Sequence, residues 1–415
     1  MRPARSDRIV WLLAGALALR LALFGCATSH PERLLTEEDS VEYERIARNL
    51  ADGHGFSQAA HAPYHADLRR TPVYPAMLAV VFLAPGAGVR AAALAGIALS
   101  TLTVLATFRL GILLAGRAAA QWAGLLLATD LTSAAYSTQV LTEPLFTLLL
   151  ILSFLPLLAR RRSSAADAVA AGILSGLAAL CRPIAILSFA ALAPSCLFRA
   201  ASARQAVRLL LVAATMAGLI VGAWMVRNYR AAGTATVSSV VATNMYFHRA
   251  AYIEAYVHHR PVEDLRDEWE REFQQRSSSW TEAERVGWMN EHGRDVVLAH
   301  PLLYALVALR GAARMLTPDH LVVSSLLGGE ATPAFRALHA AAWAQIAIVY
   351  VFAVVGIARL WRVSPLRVAV PLAPIAYFLA VGGPEMYPRF RVPLMPFVCV
   401  LAGAGIALDE PGPSA

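Results

Sequence analysis

Thr36-Glu-Glu-Asp-Ser-Val-Glu-Tyr-Glu-Arg-Ile-Ala-Arg-Asn-Leu50 and, further on, Arg69-Arg-Thr-Pro-Val-Tyr-Pro75 lie within and close a polar insert that runs from Thr28 to Thr71. Before the insert stands one apolar run, at about residues 9–28. After it, apolar runs recur at about 73–88, 90–114, 118–137, 141–159, 166–181, 183–198, 206–226, 301–316, 338–361, 366–381 and 392–408. Several approach the ~20 residues that a helix needs to cross hydrocarbon. A charged, proline-bounded loop this early in such a chain is longer than a connector between spans requires, and it reads as a site.

Composition agrees with the run pattern. The chain is 58% hydrophobic, with a mean hydropathy of +0.54, outside the range of ordinary soluble domains. The expectation is an all-α polytopic membrane protein with about 10–12 transmembrane helices. Met1 to Arg8 reads as the flank of an uncleaved anchor with a cytoplasmic N-terminus, since no small-residue cleavage site leads into a soluble domain. The net charge of +8 comes from arginine alone, because the sequence has no lysine. Those arginines are scattered among spans and form no basic face, which argues against nucleic acid as a partner. Cys26, Cys181, Cys196 and Cys399 all fall inside apolar runs without metal-ligand or redox spacing. No P-loop, nucleophile elbow or dinucleotide fingerprint is present.

Arginines at 2–8, at Arg109 and Arg117, at 160–162 and at Arg199, Arg204 and Arg208 assign those loops to the cytoplasm. The polar stretches 29–72 and 227–300 then fall on the far side. The second carries Trp269, Trp280 and Trp288 among many charges and reads as a helical cap. The segments 73–88 and 166–198 are short for their spans, so one of them is expected to be interfacial or re-entrant. The division is therefore 1–226 for an N-terminal membrane module containing the loop 29–72, 227–300 for the cap, 301–408 for C-terminal spans and 409–415 for a tail.

From Asp39, Tyr43, Ile46 and Leu50 follow at i+4, i+7 and i+11, one stripe of an amphipathic helix. A carboxylate held there, at the top of a helical bundle, suits a general base for a substrate arriving from water. The same spacing also permits Asp39 to be only a helix cap, with Glu42 three residues on. Arg70, Arg227, Arg389 and Arg391 run against the orientation bias of the outer face, which a lipid phosphate would explain and simple snorkelling would also explain. Arg182 lies between two apolar runs, where an unpaired charge is costly. Glu143 and Asp130 are acids at membrane depth, although Glu143 before Pro144 also fits a first-turn carboxylate at a helix start. His54, His61 and His65 are too irregularly spaced to read as a metal set.

In order along the chain stand Asp39-x3-Tyr43-x2-Ile46-Ala47-x2-Leu50-x2-Gly53-x-Gly55-Phe56, Arg70-x-Pro72-x-Tyr74-Pro75, Thr142-Glu143-Pro144-Leu145, Gly176-Leu-Ala-Ala-Leu-Cys-Arg182-Pro183, Trp224-x2-Arg227-Asn228-Tyr229 and Arg389-Phe390-Arg391-x-Pro393. This series resembles the GT-C glycosyltransferases of family 39 type, the group that includes bacterial protein O-mannosyltransferases and the lipid A aminoarabinose transferase. The resemblance implies the GT-C fold in a bacterial inner membrane, with the active site facing the periplasm. It implies inverting transfer of a sugar from a polyprenyl-phosphate donor to a periplasmic or membrane acceptor. Asp39 would be the base, with Glu38, Glu143 and Asp130 as supporting acids. Arg70, Arg182, Arg227, Arg389 and Arg391 would hold the lipid phosphate, and Tyr43 and Tyr74 would stand beside the substrates. No metal or other cofactor is implied. Mannosyltransferases of this group often carry two adjacent acids at the catalytic position, whereas Asp39 is followed by Ser40 and preceded by Glu38, so the choice between Asp39 and Glu38 stays open. The alternatives to an enzyme are a lipid or sugar transporter and a non-catalytic envelope-assembly protein. A transporter would show repeated halves and broken helices at the midplane, whereas the charges here gather at one face.

Overall fold

A computed structural model describes residues 7–28, 34–35, 38–327, 329–330 and 332–407. Glu37, Met1 to Ser6 and the 409–415 tail lie outside the described residues. The fold is all-α, and its apolar runs form a polytopic membrane bundle. Among the described residues, five helices are long and apolar enough to cross a membrane: Ile9–Ala27, Val89–Ala115, Ala203–Ala232, Pro333–Val363 and Pro388–Ile406. Shorter apolar helices accompany them at Val73–Phe82, Glu143–Ala159, Ala165–Ala179 and Pro365–Val381.

The centre of the bundle is the helix Met395–Ile406, where Phe397, Cys399, Val400 and Ala402 are fully buried. It packs on Pro333–Val363, Arg117–Ala128 and Val89–Ala115. Close approach depends on missing side chains: a Cβ at Gly356 would strike the Leu401 carbonyl, and one at Gly405 would strike the Phe352 carbonyl. In hydrocarbon no hydrophobic force pulls helices together, so contacts of this kind supply the packing. Exposed apolar side chains such as Trp11, Leu211, Leu302 and Val354 cover the outside.

Two interruptions shape one end of the bundle. The 166–198 region is broken: Ala165–Ala179 gives way to 3-10 turns at Pro183–Ala185 and Ser188–Leu192 and then to the short helix Ala193–Arg199. Pro183 excludes Arg182 from helical backbone, and Arg182 is extended at φ −139°, ψ 120°. The carbonyls freed by the break are taken by the first loop, with Val73 N–H donating to Leu180 O at 3.1 Å and Thr71 Oγ1 to Cys181 O at 3.1 Å. The 118–137 run is also not one helix, because Asp130 stops it. Arg117–Ala128 ends there, and Asp130 caps Leu131–Tyr136 by accepting from Ser133 N–H at 2.9 Å.

The helix beginning at Ala203 runs through Arg227 to Ala232, so the polar cap starts later than residue 227. The cap consists of a π-helical turn at Asn244–Ala250 with short flanking helices, then Val262–Arg276 and Glu282–Ala299. Tyr246, Phe247, Trp269, Phe273 and Trp288 form its small core, with Tyr246 stacked on Trp269 at 4.6 Å. Glu282–Ala299 and Pro301–Met315 meet at 100°. The first carries many charges and the second is rich in leucine.

Candidate active site

The first loop forms the helix Glu38–Ala51, which buries Ser40, Tyr43, Ile46, Ala47 and Asn49. Its axis is amphipathic, and Asp39 stands in its first turn beside the buried Tyr43 stripe. The second half of the loop returns under the cap. Ser239 N–H donates to Leu68 O at 2.9 Å, and Ser238 Oγ donates to Arg69 O. Asp67 Oδ1 accepts from the Arg70 N–H at 2.8 Å, which sets the backbone that aims Arg70 at Asp39.

Between the loop, the broken 166–198 segment, the cap and the Gly382–Phe390 segment lies a cleft of ≈ 1510 Å³. Asp39 is on its wall and has a side chain 32% exposed. Arg70 Nη2 meets Asp39 Oδ1 at 2.5 Å, and Arg389 Nη1 meets Asp39 Oδ2 at 3.3 Å. Below it, Glu143 is fully buried and bridges Arg182 and Arg389. Arg182 is held further by Thr142 Oγ1 at 3.2 Å and by the rings of Phe390 and Phe146. Glu42, on the same face of the loop helix as Asp39, pairs with Arg70 and with Arg69 at 3.1 Å. Arg70 also lies over the Tyr43 ring at 5.1 Å.

These contacts decide the ionisation of the cleft mouth. Burial raises the Asp39 pKa, but the fields of Arg389, Arg70 and Arg182 outweigh it and hold the carboxyl below its usual value. Asp39 is therefore a carboxylate at neutral pH. Asp67, buried with weaker compensation, is shifted upward. His248 on the cap wall is pushed down to about 4 by burial and by Arg266, Arg69 and Arg249, so it presents a neutral imidazole to the cleft.

Of the residues singled out in the sequence, Asp39, Glu38, Tyr43, Arg70, Arg182 and Arg389 line the cleft, and Glu143 supports it from beneath. The others stand elsewhere. Arg227 donates to the carbonyls of Asp67 at 2.8 Å and Phe56 at 3.5 Å and stacks on Trp224 and Phe56. It clamps the loop to the long helix and is absent from the cleft wall. Arg391 pairs with Asp130 at 3.3 Å, and both are buried. Tyr74 is buried behind Tyr43 in an edge-to-face contact at 5.0 Å. His54 stacks on Tyr64 at 4.2 Å. Among the described residues no three His, Cys, Asp or Glu side chains gather as a metal set.

The structure adds residues that spacing did not point to as site members. Glu42 had a signal, since it lies three residues after Asp39 on one helix face. Arg249 and Glu385, paired at 3.2 Å across the cap and the Gly382–Phe390 segment, had none, because they are far apart in sequence and join only when the cap closes over the bundle.

No protein-family model and no curated protein sequence matches the chain. Solved structures do. The oligosaccharyltransferase of Archaeoglobus fulgidus in its apo form matches with 15% identity and a TM-score of 0.50, covering 94% of this chain and 50% of that one. The chain thus spans about half the length of that protein. ArnT from Cupriavidus metallidurans bound to undecaprenyl phosphate matches with 15% identity and a TM-score of 0.41, over 97% of this chain and 78% of that one. The all-helical bundle with its first loop folded over one end is the GT-C glycosyltransferase-like fold.

Proposed function

We propose that the chain is a membrane glycosyltransferase that moves a sugar from a polyprenyl-phosphate donor to an acceptor hydroxyl at the outer face of a bacterial inner membrane. The observation that carries this reading is the partly exposed Asp39 carboxylate at the mouth of an arginine-lined cleft. On that wall eight arginines face six carboxylates, an excess suited to an anionic leaving group. The matching archaeal fold belongs to an oligosaccharyltransferase, which is compatible with this activity, although fold alone does not carry function.

The two oxygens of Asp39 differ. Oδ1 is held by Arg70 at 2.5 Å, whereas Oδ2 has only the longer contact to Arg389 at 3.3 Å. In the proposed reaction an acceptor hydroxyl enters at Oδ2. Its oxygen attacks the anomeric carbon, the bond from that carbon to the phosphate oxygen breaks, and the proton passes to Asp39. Arg389, displaced from Oδ2, turns to the phosphate with Arg182 and Arg70 and stabilises the charge developing there. The leaving group departs already ionised, so no general acid is needed. A single displacement inverts the anomeric centre.

The test is transfer by purified protein from labelled polyprenyl-phosphate sugars to candidate acceptors, with release of polyprenyl phosphate measured beside it. Asp39→Asn is expected to fold normally and to lose transfer by about 10²-fold or more, the usual effect of a missing base. Glu38→Gln, at the exposed rim, is expected to lose much less. Near-normal turnover in Asp39→Asn overturns the assignment, and a larger loss in Glu38→Gln moves the base to Glu38.

A further inference from the structure

A second cavity, of ≈ 460 Å³, lies beside the cleft and shares Tyr252 and Arg314 with it. One wall is a face of Pro301–Met315: Val307, Arg310 and Arg314 follow one another at helical spacing and all line it. The neighbouring stripe of the same helix is Leu302, Leu306 and Leu309, exposed by 86%, 41% and 69%. The cavity therefore opens beside a surface that suits lipid and not water. The opposite wall ends at His259, whose φ of 52° is left-handed and turns the chain out of the helix Ala251–Val257. Arg260 N–H closes that turn on Ala255 O at 2.9 Å, and His259 and Arg260 both line the cavity.

The lining holds three arginines and a histidine but no carboxylate. Arg260 is neutralised from outside by Glu268 at 2.6 Å. Arg314 donates only to the backbone, to Met386 O at 2.9 Å and Pro384 O at 2.7 Å, and Arg310 lies 5.4 Å from the centre of the Tyr256 ring. Neither Arg310 nor Arg314 has a carboxylate partner among the described residues. Two cations without counter-charge at an apolar margin are costly unless an anion completes them, and a phosphate oxygen does so through charge-assisted hydrogen bonds.

We propose that this cavity binds a phosphate group carried by a membrane lipid, with Arg310 and Arg314 as its ligands. It is a different place from the Arg70, Arg182 and Arg389 cluster, and the proposal stands whether or not the transfer reaction does. The shared wall at Arg314 would set such a lipid against the cleft. The probe is dioctanoyl phosphatidic acid titrated onto detergent-purified full-length protein, with native mass spectrometry counting bound molecules. Dioctanoylglycerol, which lacks phosphate, and inorganic phosphate provide the comparison arms.

Wild-type protein is expected to retain the phosphatidic acid and not the dioctanoylglycerol. Arg310→Gln is expected to weaken that binding about 10-fold, as for one lost charged hydrogen bond, and Arg310→Lys to keep most of it. Arg161→Gln, on another loop, is expected to change nothing. Competition by inorganic phosphate at concentrations equal to the lipid would assign the site to free phosphate and overturn the lipid source. Wild-type stoichiometry and affinity in both Arg310→Gln and the double variant Arg310→Gln/Arg314→Gln would overturn the site itself.

Discussion

Arg389 and Arg391 stand two residues apart on the 3-10 turn Pro388–Leu394, both nearly fully buried and both paired with acids, yet they belong to different parts of the molecule. Arg389 joins Glu143 on the cleft floor to Asp39 at its mouth, whereas Arg391 turns into the bundle and meets Asp130. A 3-10 helix advances by about 120° per residue, so side chains two apart point to different sides. The partners differ accordingly: the Asp39 side chain is 32% exposed and that of Asp130 is 5% exposed. The same pair of residue types, arginine and aspartate, opens on the cleft in one case and is enclosed in the interior in the other. Exposure separates the two roles.

That difference is open to direct attack. The largest effect is expected on the buried side: Arg391→Met leaves Asp130 uncompensated and is expected to cost about 3–5 kcal/mol of stability, while Asp130→Leu/Arg391→Met recovers most of it. Thermal and chemical unfolding in detergent read this out, with transfer per folded molecule near normal in the double variant. If the double variant folds well but is inactive, Arg391 serves chemistry and the contrast fails.

A second comparison sets Arg70 against Arg227. Arg70→Gln is expected to weaken binding of polyprenyl phosphate by about 10- to 150-fold, as for a lost charged contact worth roughly 1.5–3 kcal/mol. Arg227→Gln releases the loop carbonyls it holds, so its expected signature is a lowered unfolding midpoint, with affinity per folded molecule closer to that of the Arg117→Gln and Arg161→Gln controls. Equal affinity across Arg70→Gln and those controls would leave the outer arginines without a phosphate role.

The smallest effect concerns pH. A carboxyl whose folded-state pKa lies below its unfolded value contributes its ion-pair stability fully above the unfolded value of about 4, and loses it as pH falls through the folded one. The acid limb of transfer is therefore expected below about pH 4 if Asp39 is the base. Removing Arg70 should move that limb upward, since one of the fields holding the carboxyl down is gone. A limb near pH 6 that ignores Arg70→Gln would point to a different group.

Much of the site was legible because some of its parts are local. The Asp39, Tyr43 and Ile46 stripe is a helical period, and the break at Arg182 follows from the proline after it. Glu143 and Arg182 stood out because charges are costly within apolar runs. The order of these motifs along the chain supported the fold. Spacing offered no means to divide the arginines, however: Arg227, Arg389 and Arg391 look alike as cations near helix ends, and whether each meets a cleft, a carbonyl or a buried acid depends on segments far away in sequence.

By itself the sequence determined that the chain is a helical membrane bundle with a charged loop folded at one end, because apolar run length and charge position are properties of the chain read in order. It also determined which side chains carry enough charge at enough depth to require partners. Only the tertiary structure decided the partners. Glu143 reaches Arg182 and Arg389, Arg249 reaches Glu385 and Arg391 reaches Asp130 once the broken span, the cap and the last turn are packed together. Ion pairing acts over a few ångströms in space, and no pattern along the chain encodes that distance.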